Sequence, residues 1–264
     1  MLLVPAGSFT MGADAGGEED ERPAHLVTLP AFWLDRTHVT NADYDRCVAA
    51  GACAEKNRRA ASRVRAGRDE DFQRPRQPVV GVSWNDAKTY CGWVNKRLPR
   101  EAELERAMRG DDGRMFPWGD ALPSPTRAVY GRPFGKPKST TDDVGTHPEG
   151  RGPFGHDDLA GNAWQWCDDA YDPYAYRRET ADRGIPGSCD EILEALNELR
   201  RRGRRHFTGS NGLPHECERV LRGGAFNYEP RGLRATNRVH HPARFRIVVA
   251  GFRCARDAVV EPSR

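Results

Sequence analysis

Two adjacent glycines, Gly223 and Gly224, follow a Val-Leu run in RVLRGGAFNYEPRGLRATNRVHHPARFRIVVAGFRCA, the stretch from Arg219 to Ala255. A glycine pair lets the backbone take φ > 0 or press against a neighbour, so the chain must turn sharply or pack closely there. Between the pair and a GFRC tetrad (Gly251 to Cys254) lie short strand-like runs and turns bearing Arg and His. Such a segment suits a fold of short strands and tightly packed loops, and its turns are expected to help form the functional site.

Composition agrees. The chain has 264 residues with 27 Gly, 19 Pro, 38% hydrophobic and 30% charged residues, which fits a loop-rich globular domain rather than a helical bundle. It is long enough for one sizeable core. With 41 basic and 38 acidic side chains the net charge is +3, so no nucleic-acid footprint is implied. No apolar run approaches the ~18 residues of a membrane span. MLLVPAGSFTMG lacks a basic region followed by a long apolar one, so no signal peptide is read there. Seven cysteines without CxxC or CxxH spacing argue against structural zinc.

In chain order, LLVPAGSFTMG and AHLVTLPAFWLDRTHVT read as short strands split by the acidic loop GGEEDER. Thr40 caps a short helix, with Asp43 in the reciprocal position, Tyr44, Cys47 and Val48 on its inner stripe, and Gly51 as its stop. Residues 54–77 read as a polar, solvated, Arg-rich insertion. Ser83 with Asp86 caps a second helix carrying Ala87, Tyr90, Cys91 and Val94 at helical spacing. Pro99 opens REAELERAMRG, closed by Gly110. Irregular chain follows, with a β-branched run at Arg127–Tyr130. A second insertion spans 176–216, where CDEILEALNELRRRGRR puts Ile192, Leu193, Leu196 and Leu199 on one face and is expected to pack on the domain's side. The pattern is α+β with little regular structure.

Several blocks, VPAGSFTMG, LDRTHVTNADY, PVVGVSWNDAKTYCGWVNKRLPREAELERAMRG, FPWGD, DLAGNAWQW, RVLRGGAF and GFRCA, resemble the formylglycine-generating enzyme, or sulfatase-modifying factor, superfamily. The resemblance covers nearly the whole chain. It implies one domain over 1–258 with a tail at 259–264, in a C-type-lectin-like fold of short strands, two main helices and much coil. The family holds oxidases acting on peptide cysteines, a siderophore-maturation enzyme, sulfoxide synthases and non-catalytic ligand-binding members, so it does not fix activity.

Formylglycine-generating members are implied to hold copper(I) on two cysteines shortly after the double glycine, since a soft ion prefers thiolates. This chain has none there: Tyr228 stands at the first cysteine's place and Ala225 where a serine is usual. Copper chemistry of that kind is therefore not expected. Sulfoxide-synthase iron chemistry needs a His-rich bundle for which the chain has no room, and its eight histidines are scattered. His240 and His241 are read as a polar surface turn. The resemblance further implies one structural calcium on DLAGNAWQW, through Asp158, carbonyls of Gly161 and Ala163, and Gln165. The usual Asn is Asp and the usual Glu is Gln, so one negative charge moves without being lost. The family's second calcium site lacks matching ligands between Thr126 and Val144. Relatives also imply a Cys91–Cys254 disulfide. Cys47 and Cys53 flank the first helix's end as further candidates, while the pairing of Cys167, Cys189 and Cys217 stays open. This cysteine placement favours export, with a cytoplasmic protein as the alternative.

The expected function is recognition on the lectin-like face of a protein, peptide or small ligand, with no nucleic acid and no membrane span. Candidate residues are Trp164, Phe226, Asn227, Tyr228, Arg231, Asn237, Arg238, His240, His241, Arg244 and Phe245, types that suit a binding surface of loops. The residues leave catalysis open. The alternatives are an oxygen-dependent oxidoreductase on a peptide or siderophore-like substrate, and a regulatory or scaffold domain of a larger system. Oligomeric state is not fixed by the sequence.

Overall fold

Two serine/threonine caps set the helices that frame the site. The computed structural model describes residues 1–60, 68–178, 188–201 and 213–258; the expectations on 61–67 and on 179–187 and 202–212 within the two insertions, and on the 259–264 tail, lie outside them. Helix α1 (Asn41–Ala49) starts at Thr40, whose hydroxyl accepts from Asp43 N while the Asp43 carboxylate reaches back to the cap. Helix α2 (Trp84–Trp93) repeats the device with Ser83 and Asp86. Each closes two orphan donors, so both starts are legible in sequence. Helix α3 (Glu101–Arg109) begins after Arg100, with Pro99 just ahead of the cap rather than in the first turn. Helix α4 (Cys189–Arg201) lies in the second insertion. The described residues thus hold four helices, the two capped ones framing the site as expected and the others where Pro99 and the second insertion were read as helical.

The strands are short. β1 (Leu2–Val4), β4 (Phe32–Leu34) and β9 (Ala255–Asp257) form one sheet in the order β1-β4-β9. β2 (Gly7–Met11) and β3 (His25–Leu29) form a two-stranded ribbon burying Phe9, Met11, Val27 and Leu29. The third sheet runs β7-β6-β5-β8, with β5 (Trp164–Ala170), β6 (Glu218–Arg222), β7 (Arg238–Pro242) and β8 (Ala250–Gly251). β5 lies between two neighbours and is buried on both faces, hence its run of residues without alternation. Arg127–Tyr130 forms no strand; it lies as coil along the loop after the double glycine, where Gly131 N donates to Tyr228 O and Arg132 N to Phe226 O.

The acidic loop and the insertion read as solvated are both buried in part. In GGEEDER, Asp20 and Glu21 sit in a 3-10 turn at 1% and 0% exposure. The Glu21 carboxylate takes both guanidinium ends of Arg234 at 2.7 and 2.8 Å, and the Thr236 hydroxyl at 2.7 Å. In the first insertion, Lys56 and Phe72 are buried, because Asn41 in the first turn of α1 draws the segment in. Asn41 accepts from Lys56 Nζ and donates to the carbonyls of Phe72 and Arg74.

Helix α3 is buried on every face although five of its nine residues are charged. Glu101 and Glu105 meet two fully buried arginines, Arg222 and Arg238, in the middle of the domain. Glu101 accepts from Arg238 Nε at 2.6 Å and Nη2 at 2.8 Å, and from Arg222 Nη1 at 3.2 Å. Carbonyls of Asp20, Asp172, Ala235 and Thr236 take four more guanidinium protons, and Arg222 Nε is left without a hydrogen-bond partner among the described residues. This satisfaction of nearly every donor is what makes such burial tolerable.

All seven cysteines are described. Six form disulfides: Cys47–Cys53, Cys91–Cys254 and Cys189–Cys217. The second ties α2 to the chain end before β9 across 163 residues, a closure worth roughly 5 kcal/mol in the loop-entropy picture. The third fastens α4, whose Ile192 and Leu196 pack on Ala170 of β5. Cys167 is free and buried. Among the described residues no helix is long and apolar enough to cross a membrane.

Burial, and then the Arg253 guanidinium, push the pKa of both His38 and His156 down to about 3. The unfolded chain takes up these protons below about pH 6.5 and the folded chain does not until near 3. Stability is therefore expected to fall with falling pH across that window, by about 1.4 kcal/mol per pH unit for each histidine. Denaturant midpoints measured between neutral and acidic pH check this, and a flat profile there would contradict neutral burial.

Candidate functional site

The double glycine is demanded by close approach. Gly223 has φ 97°, and a Cβ there would lie 2.5 Å from Leu159 O; Gly224 has φ 77°, and its Cβ would lie 2.8 Å from Gly232 O. The loop is stitched to its neighbour by Gly161 N to Gly223 O and Phe226 N to Asn162 O. Beyond it the chain turns back through a 3-10 helix at Pro230–Leu233. A pocket of about 340 Å³ opens there, lined by Asn227, Tyr228, Glu229, Arg231, Gly232 and Asn237.

Four of the expected residues, Asn227, Tyr228, Arg231 and Asn237, thus share one cavity. The Tyr228 ring stands edge-on to Trp164, centroids 5.0 Å apart. Burial raises the Tyr228 hydroxyl above its ordinary pKa, with the Trp164 indole pulling the other way. Asn227 Oδ1 is a buried acceptor without a partner among the described residues, so it can take an N–H or O–H from a ligand. Arg231 is exposed and pairs with Glu18, and Asn237 donates to Glu21 at 3.2 Å. The strap around Glu18–Glu21 therefore braces the pocket wall. Sequence reasoning missed Glu229, Gly232 and this strap, because nothing local distinguishes GGEEDER from a solvated acidic loop.

The other seven candidates are elsewhere or underneath. Trp164 and Phe226 are core residues, Trp164 supporting Tyr228 and Phe226 packing on Phe72 and Phe134. Arg238 is spent on Glu101. His240 is no surface turn: it is buried in β7, bonded to Glu218 at 2.7 Å and stacked on Tyr171. Strand alternation turns the adjacent His241 the other way, where it stacks on Phe245. His241, Arg244 and Phe245 lie at the far end of β7 from Asn237, roughly 13 Å away at strand rise. They form no common surface with the pocket.

No thiol reaches this pocket. Six cysteines are bonded in pairs, and Cys167 is fully buried with its pKa pushed well up by that burial. Tyr228 occupies the turn instead.

The loop Asp158–Trp166 lies on the other side of the double glycine, with left-handed residues at Asp158 (φ 51°), Gly161 (φ 81°) and Asn162 (φ 65°). Three of the groups expected to hold calcium accept hydrogen bonds from protein donors. Ala163 O accepts from His38 Nε2 at 2.9 Å, Gln165 Oε1 accepts from Arg253 Nε at 2.5 Å, and the Asp158 carboxylate accepts from Gly145 N at 2.6 Å. Calcium requires six to eight oxygens turned toward one point. Each of these three expected ligands has one lone pair directed at a protein donor instead.

The arrangement of short strands, framing helices and looped site matches solved proteins of one class. PvdO from Pseudomonas aeruginosa superposes with a TM-score of 0.71 at 25% identity, covering 97% of this chain and 93% of that one. Residues 1–258 match the sulfatase-modifying factor enzyme 1-like domain, and the chain belongs to that family. It is 35% identical over 234 residues to a formylglycine-generating enzyme of Streptomyces coelicolor, covering 71% of this chain and 74% of the relative. It is 32% identical over 285 residues to a hercynine oxygenase of Mycolicibacterium smegmatis, covering 97% of this chain and 61% of that protein. The chain thus spans about three fifths of the oxygenase's length.

Proposed function

We propose that this chain is an exported binding member of the family, which holds a peptide or small ligand in the Asn227–Asn237 pocket without copper–thiolate chemistry. The observation that carries the reading is the pocket itself, built where the family resemblance places its cysteines and walled here by Tyr228 and two asparagines. The aromatic floor offers apolar contact, and Asn227 Oδ1 offers an unsatisfied acceptor to fix orientation. Three disulfides suit an oxidising compartment.

Selection of a displayed peptide library on the intact chain is expected to enrich binders. Their affinity should drop about tenfold or more in Asn227→Ala and in Tyr228→Ala. Binders indifferent to both variants would remove the pocket from the function. Copper(I)-dependent oxygen uptake with a cysteine peptide would overturn the rest.

A second reading is an oxygen-dependent oxidoreductase, supported by the similarity to a hercynine oxygenase along 97% of this chain. Tyr228 would then be the hydroxyl placed to move a proton. Ligand-stimulated oxygen consumption abolished in Tyr228→Phe would favour it over simple binding.

A further inference from the structure

We propose that the Arg253 guanidinium, assisted by His38, takes the structural place of a bound cation in the loop Asp158–Trp166, so that this part of the fold needs no ion. The expectation of calcium came from four positions in that loop. The structure gives three of those positions, Asp158, Ala163 and Gln165, other work.

Arg253 is fully buried and spends all five of its N–H groups. Nε donates to Gln165 Oε1 at 2.5 Å. Nη1 donates to the carbonyls of Asp35 at 3.1 Å and Arg36 at 3.0 Å. Nη2 donates to the carbonyls of Asp157 at 2.9 Å and Asp158 at 2.8 Å. Five oxygens from three segments of chain thus converge on one planar cation, as they would on a metal ion. The fork of the guanidinium matches them in a fixed geometry that a spherical ion does not require.

The neighbouring anions are committed as well. Both Asp157 oxygens take arginines, Arg36 and Arg151, each at 2.7 Å. Lys96 holds Asp35 at 2.6 Å. The Asp158 carboxylate, bonded to Gly145 N, is the group left to balance Arg253 through space. His38 completes the closure by donating to Ala163 O, the carbonyl that would face an ion. A divalent ion added here would sit beside a buried guanidinium with one carboxylate to offset both, an arrangement the low-dielectric interior penalises heavily. Burial and this same guanidinium hold His38 and His156 neutral, which keeps Arg253 the region's single buried positive charge among these three groups.

The test is thermal unfolding of the intact chain in millimolar EGTA and in millimolar calcium chloride, with calcium content measured by elemental analysis after chelator-free purification. The melting temperature is expected to agree between the two buffers within about 1 °C, less than the shift for one kcal/mol in a protein of this size, with no stoichiometric calcium. Arg253→Lys supplies three donors for five acceptors and is expected to melt several degrees lower in both buffers alike. A calcium-dependent rise in the parent protein, stoichiometric calcium, or an Arg253→Lys variant as stable as the parent would each overturn the proposal. If the variant fails to fold, the parent measurements still decide the matter.

Discussion

Glu101→Gln is expected to destabilise the protein by about 3–5 kcal/mol, the range for removing one member of a buried ion pair. Burial alone would push the Glu101 carboxyl up, but the Arg238 and Arg222 guanidinia win and hold it below its ordinary value. The carboxylate is thus charged in the folded protein and balances two arginines that water cannot reach. Glutamine keeps the shape but leaves one acceptor oxygen for the three guanidinium contacts and no charge to offset them. A group with a depressed folded pKa contributes stability above its unfolded value, lost as pH falls through the folded one. The variant's deficit should therefore be full at neutral pH and shrink below about pH 4.5. Equilibrium denaturation at both pH values checks this. A deficit under about 1 kcal/mol at neutral pH would mean that the network is satisfied without the charge.

Asp169→Asn is expected to do the opposite. Asp169 lies one turn of chemistry away, accepting from Glu101 N at 2.7 Å at the start of α3. Its hydrogen bond comes from a backbone N–H rather than a guanidinium, and burial, then the Glu101 charge, raise its pKa to about 8. The folded protein holds this acid protonated at neutral pH while the unfolded chain ionises it above 3.8. Stability from a raised acid is fully present below the unfolded pKa and lost as pH climbs toward the folded one. At pH 7 that loss is about 4 kcal/mol as an upper bound, three pH units at about 1.4 kcal/mol each. Asparagine keeps an acceptor for Glu101 N and never ionises. The variant should be more stable than the parent by about 1–4 kcal/mol at pH 7, and the gain should vanish near pH 4. A pH-independent difference would show that Asp169 does not titrate as burial requires.

What the chain disclosed in advance follows from the range of the forces involved. Thr40 with Asp43 and Ser83 with Asp86 are contacts three residues apart, so both helix starts could be read directly. Gly223 and Gly224 announced a close approach because few other reasons place two glycines after a strand. The pocket was half legible: Asn227, Tyr228 and Arg231 follow the glycines, but the strap that braces them is more than two hundred residues away in sequence. Arg222, Arg238 and Arg253 look like surface residues to any local measure. Their partners sit 137 residues off for Arg238 and 88 for Arg253, and only the folded chain brings them together. For the same reason the Cys189–Cys217 pairing could not be chosen from spacing alone.

The sheet β1-β4-β9 puts the first and last strands on either side of β4. Two strand spacings, about 10 Å, separate them, and both run antiparallel to β4, hence parallel to one another. Leu2 is therefore level with Ala255 and Val4 with Asp257, so the chain enters at one end of this sheet and leaves at the other, while the pocket is built by the loops after β6. β4, paired along both of its edges, closes the seam between the two outer strands.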